Sequence, residues 1–330
     1  MNSDIIEQAL RYYNVKPTKF FDEEHGYRNK SYHVQSKADH LNLILYKNES
    51  GILERVQRAD TLSEYAWRSG LPVRHLYNDR TLTLRGKTKT LYARLYYYLP
   101  GQTIAWEMYT MKHIKLLGWA MSDLHSSIKT AKVKLPRAES ELLDQVSYIS
   151  KYFADTSVQQ AILDKLRLAI PLLIFPRFKQ TILFAAHLPA QPLHLDLVRG
   201  NILFSSCGPK TTGTPWQIGN VCISGIIDFE KAALGAPLFD IARTYAFLLA
   251  DCANKTPEQI YKYLIYSGYN KRGSADIWPN TKLLQALVDF YLFYDFYKFL
   301  EHNPYEFLRQ NHHFLRTKDI LITRGVIQSA

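Results

Sequence analysis

The stretch Leu193-His194-Leu195-Asp196-Leu197-Val198-Arg199-Gly200-Asn201-Ile202-Leu203-Phe204 sets a carboxylate and an amide five positions apart (201 − 196) and runs straight into a strand-like segment. Asp228 follows 32 positions after Asp196 (228 − 196), at the end of the apolar run Gly225-Ile226-Ile227, and Gly235-Ala236-Pro237-Leu238-Phe239-Asp240-Ile241-Ala242 comes soon after. Phosphoryl transfer from a nucleotide needs this trio. One carboxylate sits beside the attacking hydroxyl, while a second carboxylate and an amide oxygen hold Mg²⁺ against the phosphates. Such hard oxygen donors suit that ion better than zinc or copper. Alone, an Asp–x4–Asn pair is ordinary turn chemistry, since both side chains favour turns. The second acid and the Gly/Pro/Asp/Ala tail argue against that reading.

Those residues need elements to hold them. Residues 5–13 carry Ile6, Leu10 and Tyr13 on one helical stripe. From Phe20 the pattern turns strand-like, with alternation over Lys30–Val34 and Leu41–Lys47. Residues 52–69 have helical spacing and end at Gly70-Leu71-Pro72, and two more strand-like runs cover 81–85 and 91–99. Residues 20–99 thus read as a mainly antiparallel sheet interrupted by one helix. Pro100-Gly101 marks a boundary, beyond which helices dominate: 111–128 with Ile114, Leu117, Met121, Leu124 and Ile128 on one face, then 139–153, 158–172, 257–266 and 283–300. Thr256-Pro257-Glu258-Gln259 is a capping-box signature for the fourth of these.

Length and composition set outer bounds. At roughly 150 residues per domain, 330 residues make about two units, and 47% apolar against 22% charged residues can bury a sizeable core. The net charge of +11 (41 − 30) favours anionic partners without identifying one. Three cysteines, Cys207, Cys222 and Cys252, with no close pair, give no disulfide framework. The start carries acids where a signal peptide has a basic region, and no uncharged run approaches a membrane span, so a cytoplasmic protein without membrane insertion is expected.

The chain resembles the aminoglycoside phosphotransferase and choline-kinase-like family, the small-molecule kinases of the protein-kinase-like fold. The match rests on His194, Asp196, Asn201, Ile227, Asp228, Phe229, Gly235, Pro237, Asp240 and Ala242. Softer landmarks are Gly70-Leu71-Pro72-Val73, Leu99-Pro100-Gly101, Leu117-Gly118-Trp119-Ala120 and Leu124-His125. The resemblance implies an α+β, two-lobed protein-kinase-like fold. Residues 1–99 would form a nucleotide-binding lobe, a small antiparallel sheet with one key helix. Residues 100–330 would form a larger, mainly helical lobe with the catalytic loop and acceptor site. It also implies transfer of the ATP γ-phosphoryl group to a small-molecule hydroxyl, with ATP and Mg²⁺ as cofactors. Asp196 would be the base, Asn201 and Asp228 the magnesium ligands, and Lys47 the partner of the α- and β-phosphates. His194 and Asp240 would brace the loop, while Tyr96-Tyr97-Tyr98-Leu99 would connect the lobes, with backbone groups, those of Tyr97 and Leu99 among them, reaching the adenine edge.

Four departures from the family pattern stand out. The nucleotide clamp Glu24–Ser31 holds one glycine, Gly26. The carboxylate partner of Lys47 falls by register on Arg58, with Glu54 and Asp60 flanking it and Glu54 preferred. Leu195 stands where the family has glycine, and Val198-Arg199 replace a Lys-Pro pair, so Arg199 is read as a catalytic cation beside the transferring phosphoryl group.

Only 12 positions (240 − 228) separate Asp228 from Asp240 and no Ala-Pro-Glu-type anchor follows, which excludes a protein-kinase activation segment. The acceptor is then a small molecule, and Asp289–Tyr297, rich in rings and carboxylates, offers a binding wall, although Phe290, Phe293 and Tyr297 have core spacing. Asp289 and Asp295 fall on different faces, and the adjacent His312-His313 pair lacks further metal ligands. Aminoglycosides are polycations, for which a basic chain is a poor match. Two other classes compete: a catalytically inactive kinase-fold binding protein, and a nucleic-acid or anionic-surface binder. Intact Asp196, Asn201 and Asp228 weigh against the first, and scattered basic residues against the second. Neither nucleic acid nor an obligate protein partner is expected.

Overall fold

The computed structural model describes residues 2–25, 29–37, 39–85, 90–208, 214–272 and 281–330. The N-terminal lobe contains α1 (Asn2–Tyr12), β1 (Lys19–His25), β2 (Lys30–Gln35), β3 (His40–Lys47), α2 (Ile52–Arg68), β4 (Leu82–Arg85) and β5 (Thr90–Tyr97). The strands form one antiparallel sheet in the order β1-β2-β3-β5-β4. Strand side chains alternate between faces, and this sheet is covered on both. Leu41, Leu43 and Leu45 pack with Ile6, Ala9 and Leu10 of α1, while Ile44, Tyr46 and Tyr96 pack with Ile52 and Val56 of α2.

The chain then passes through Pro100-Gly101 into the helical lobe. Gly101 has φ 125° and a Cβ there would lie 2.9 Å from the Phe204 carbonyl, so glycine lets the connection run against the next lobe. The elements that follow are α3 (Met111–Ile128), α4 (Ala138–Ala154), α5 (Thr156–Leu166), β6 (Leu168–Ala169), α6 (Ile174–Ala186), β7 (Gln191–Leu193), β8 (Ile202–Ser206), β9 (Gln217–Ile218), β10 (Val221–Ile226) and β11 (Ala233–Gly235). After them come α7 (Pro237–Asp251), α8 (Pro257–Tyr261), α9 (Thr281–His302), α10 (Tyr305–Leu308), α11 (His312–Thr323) and β12 (Gln328–Ser329). Small antiparallel ladders, β8-β10-β9 and β11-β7, carry the catalytic stretches between the helices. The architecture is the two-lobed kinase-like one expected. The Thr256 capping box forms, with Gln259 N–H donating to the Thr256 hydroxyl and Thr256 N–H to the Gln259 side chain.

Some expectations need correction. The helix expected to reach residue 172 stops at Leu166, where Arg167 turns left-handed (φ 55°) ahead of Pro171. The helices α6, α7 and α11 were not anticipated. Cys207 and Cys222 form a disulfide, their Cα atoms 6.0 Å apart, because β8 and β10 bring the two stretches alongside. No helix among the described residues is long and apolar enough to cross a membrane.

His313, on α11, does not join a metal cluster but ties three helices together: it bonds Asp251 of α7 and, at 2.5 Å, Asp295 of α9. Burial alone would lower its pKa, but those two hydrogen bonds and charges outweigh it and raise it to about 10. The unfolded imidazole titrates near about 6.5, so this stabilisation is full below that value and fades as pH rises toward the folded one. Denaturant unfolding from neutral to alkaline pH should show stability falling in the wild type and falling less in His313→Gln. Parallel slopes would show that the bridge carries no charge.

Candidate functional site

The loop after β7 is held by one carboxylate. Asp240, fully buried in the first turn of α7, accepts the backbone N–H of His194 (3.0 Å) and of Leu195 (2.9 Å) and meets His125 Nε2 at 3.1 Å. Leu195 lies in the left-handed region (φ 57°), where side chains other than glycine are strained by about 1–2 kcal/mol. The loop therefore keeps a glycine-like backbone without glycine, and the bond to Asp240 helps hold it. His194 Nε2 donates to the Ile227 carbonyl (3.2 Å) while Nδ1 accepts from the Asp196 N–H (3.2 Å). That is a neutral tautomer, in keeping with a pKa that burial lowers against the pull of nearby carboxylates.

Two tethers gather the proposed chemistry. Asn201 Nδ2 donates to the Asp196 carbonyl (2.9 Å) and to its Oδ2 (3.1 Å), and the Asn201 carbonyl accepts the Ile227 N–H (3.0 Å). Asp228 follows at once, itself left-handed (φ 63°). Asn201 is thus bonded to Asp196 and, through Ile227, to the segment that carries Asp228. Asn201 Nδ2 faces Asp196, and neither of these tethers engages the amide oxygen, so Nδ2 and Oδ1 have different surroundings. Among the described residues, no group of three or more His, Cys, Asp or Glu side chains could hold a metal.

The cations at Asp196 come from outside the loop. Its Oδ1 accepts from Lys231 Nζ (2.8 Å) and from Arg243 Nη2 (2.9 Å). Burial would raise the carboxyl pKa, but Arg243 and then Lys231 outweigh it and hold it below the ordinary value. Arg199, given this role from the sequence, is exposed, and its charge acts on Tyr109. Glu230, after Phe229, has its pKa lifted to about 7 by burial first and by the charge of Asp228 second.

Three expectations on the nucleotide side need correction. Lys47 is exposed at the end of β3 and by alternation shares the face of Leu43 and Leu45, away from α2. Glu54 cannot be its partner, because it faces solvent and pairs with Arg58 one turn on (3.2 Å). The Tyr97 N–H donates to the His75 carbonyl (3.1 Å), so that this one donor is not free for an adenine edge, and the Leu99 side chain packs beside Gly225. Of the clamp Glu24–Ser31, residues 26–28 lie outside the described residues. The buried acid of α2 is Asp60, which meets Arg94 Nε at 3.0 Å and Arg74 Nη2 at 4.0 Å.

On the other side of Asp196 is a cavity of about 180 Å³ between α7 and α9. Arg243 lines it, with Phe247, Tyr291, Tyr294, Asp295 and Lys298. Asp289 points elsewhere and pairs with Arg324, while Phe290, Phe293 and Tyr297 are core. The expected wall is thus divided: three rings pack inward, and Tyr291, Tyr294 and Asp295 face the cavity.

Residues 24–278 match the sequence pattern of the phosphotransferase enzyme family. No curated protein sequence matches the chain. Among solved structures, a microcompartment-associated aminopropanol kinase superposes with a TM-score of 0.64 at 13% identity, covering 98% of this chain and 99% of the other. The GDP complex of an aminoglycoside 2'-phosphotransferase gives 0.57 at 13% identity, covering 97% and 96%. A macrolide 2'-phosphotransferase from Brachybacterium faecium gives 0.57 at 12%, covering 95% and 97%. At such identities the likeness concerns the fold.

Removing the carboxylate of Asp240 leaves two buried N–H groups and a left-handed leucine unsupported. Asp240→Ala should therefore lose about 3 kcal/mol or more of stability by denaturant unfolding. Asp240→Asn, which keeps one acceptor oxygen, should lose less. Equal, small losses would show that the loop does not depend on this residue.

Proposed function

The chain belongs to the phosphotransferase enzyme family, and from that premise we propose that it transfers the γ-phosphoryl group of ATP to a hydroxyl of a small molecule. The single observation that carries the reading is that Asn201 is bonded both to Asp196 and to the residue before Asp228, so that His194 feels the charge of both acids. Asn201 Oδ1 and Asp228 would hold Mg²⁺, whose remaining ligands are normally water and phosphate oxygens, so two protein oxygens suffice. When bound, the ion neutralises phosphate charge.

Asp196 orients the acceptor hydroxyl toward the γ-phosphorus. As the new O–P bond forms and the bond to the β-phosphate oxygen breaks, the hydroxyl proton passes to the Asp196 carboxylate and ADP leaves. A carboxylate kept weakly basic by Arg243 and Lys231 fits a loose transition state, in which placing the nucleophile matters more than removing its proton early. Arg243 also joins the base to the cavity, which makes that cavity the acceptor site.

The charges around the cavity are paired: Arg243 with Asp196, Asp295 with His313, and Lys298 with Glu301 at 3.3 Å. Each carboxylate already has a cation, and the remaining walls are rings and aliphatic side chains. This balance favours a small hydroxylated metabolite without net positive charge over a polycation. In an ATP-consumption screen, neutral polyols and hydroxylated amino acids should be turned over ahead of aminoglycosides; aminoglycosides as the best acceptors would refute the charge argument.

Asp196→Asn should lower turnover by about 100-fold or more while leaving nucleotide affinity nearly intact, whereas Asp228→Asn should remove magnesium-dependent nucleotide binding. Similar mild effects from both would sink the assignment. Arg243→Ala should move the acidic limb of the pH–rate profile to higher pH, because a cation that holds the carboxyl pKa down is gone; an unmoved limb would mean that Asp196 is not the titrating group.

A further inference from the structure

The positions of β3 on the face that meets α2 are Asn42, Ile44 and Tyr46, none of them a cation. Tyr46 is fully buried, its hydroxyl 3.0 Å from that of Tyr96. The sheet therefore offers no lysine to nucleotide phosphates at this point. The charge is supplied from another segment. Arg74 follows Pro72-Val73, which pair with the end of β10: Arg74 N–H donates to the Ile226 carbonyl (3.0 Å) and Ile226 N–H to the Pro72 carbonyl (2.9 Å). Its guanidinium lies over the Tyr96 ring, 4.7 Å from the centroid, and 4.0 Å from Asp60. The residue is only 6% exposed, yet its Nε and Nη2 have no hydrogen-bond partner. Its charge acts on both Asp228 and Glu230.

A buried guanidinium with open donors is uncommon, since buried polar groups are nearly always bonded. Here the unpaired donors, closed off from solvent, lie beside the α2 carboxylate on a segment bonded to Ile226, two residues before the one that would carry Mg²⁺. A fork of N–H groups at that place matches phosphate oxygens. We propose that Arg74, oriented by Asp60, is the cation that binds the nucleotide phosphates, in place of a lysine on the sheet. The assignment rests on the nucleotide-binding reading above and names the residue that reading lacks. Asp60 acts through Arg74 and is a positioning residue. Arg94, the other cation on Asp60, is engaged by Thr81 (3.0 Å) and the Asp79 carbonyl (3.3 Å) instead.

The test uses the full chain. Wild type, Arg74→Gln, Arg74→Lys and Lys47→Ala are compared by thermal unfolding and then titrated calorimetrically with Mg·ATP and with adenosine. Arg74→Gln should weaken Mg·ATP about tenfold or more, through lost charge-assisted bonds, and leave adenosine unchanged. Arg74→Lys, which keeps the charge but loses the fork, should weaken Mg·ATP about threefold or more, again with adenosine unchanged. Lys47→Ala should bind both ligands as the wild type does. If Arg74→Gln keeps full affinity for Mg·ATP, weakens both ligands alike, or is matched by Lys47→Ala, the assignment is overturned. Should Arg74→Gln not fold, Arg74→Lys decides, and unchanged affinity for both ligands overturns it. A wild type that binds neither ligand removes the nucleotide reading itself, and this assignment with it.

Discussion

The carboxylate of Asp240 is the fixed point of the catalytic lobe. It has no exposed surface, so its charge is supportable only because it accepts two backbone N–H groups and meets His125. Those same bonds set the conformation of His194 and Leu195 and so the direction in which Asp196 leaves the loop. His194 carries the constraint onward to Ile227, the residue before Asp228. One buried anion thereby sets the separation of the two acids that phosphoryl transfer needs. Two left-handed residues, Leu195 and Asp228, are strained in the process, and such strain persists where surrounding bonds over-determine it.

The parts legible in the sequence are those with a local physical signature. Helix α3 shows its buried stripe, from Ile114 to Ile128, as a clean 3.6-residue period over a polar face. The capping box at Thr256 announces a helix start from four residues alone. Alternation marks β3 and β5, and the Asp–x4–Asn loop with its later acid marks the site. Helix α7 leaves no such trace because it is buried on nearly every side, from Leu238 to Ala250, so no polar face reveals the period. In α6 Pro176 sits in the first turn, where proline is tolerated, yet in a sequence it reads as a break. The disulfide depends on the register of β8 against β10, which Cys207 and Cys222, 15 residues apart, do not display.

The side chains that resisted sequence reasoning are the cations. Lysine and arginine stems reach several ångströms, so a charge can serve a site from a distant element with no spacing rule to expose it. Lys231 and Arg243 converge on Asp196 from 35 and 47 positions away, whereas Arg199, three positions from it, points out. On the sheet, one step of register decides the outcome. Lys47 follows Tyr46 directly, and the strand's period of two places the tyrosine against α2 and the lysine on the other face. A lysine ending a strand ahead of a helix cannot reveal which face it takes until the pairing with β5 is known.

Where a cation is mounted also decides what it moves with. A lysine on β3 is tied to the sheet, and any hinge at Pro100-Gly101 would change its distance from Asp228. Arg74 is mounted differently. Its backbone is bonded to Ile226, two residues before Asp228, and Val73 pairs with that same residue in a parallel bridge. It is tied to the N-terminal lobe as well: its carbonyl accepts the Ser63 hydroxyl of α2, the next residue's carbonyl accepts the Tyr97 N–H, and its guanidinium meets Asp60 and the Tyr96 ring. A phosphate held between Arg74 and a metal on Asp228 would thus meet a cation whose segment is bonded both to the end of β10 and to β5. A cation mounted there also fits a β3 that fills the face toward α2 with Ile44 and Tyr46 as core.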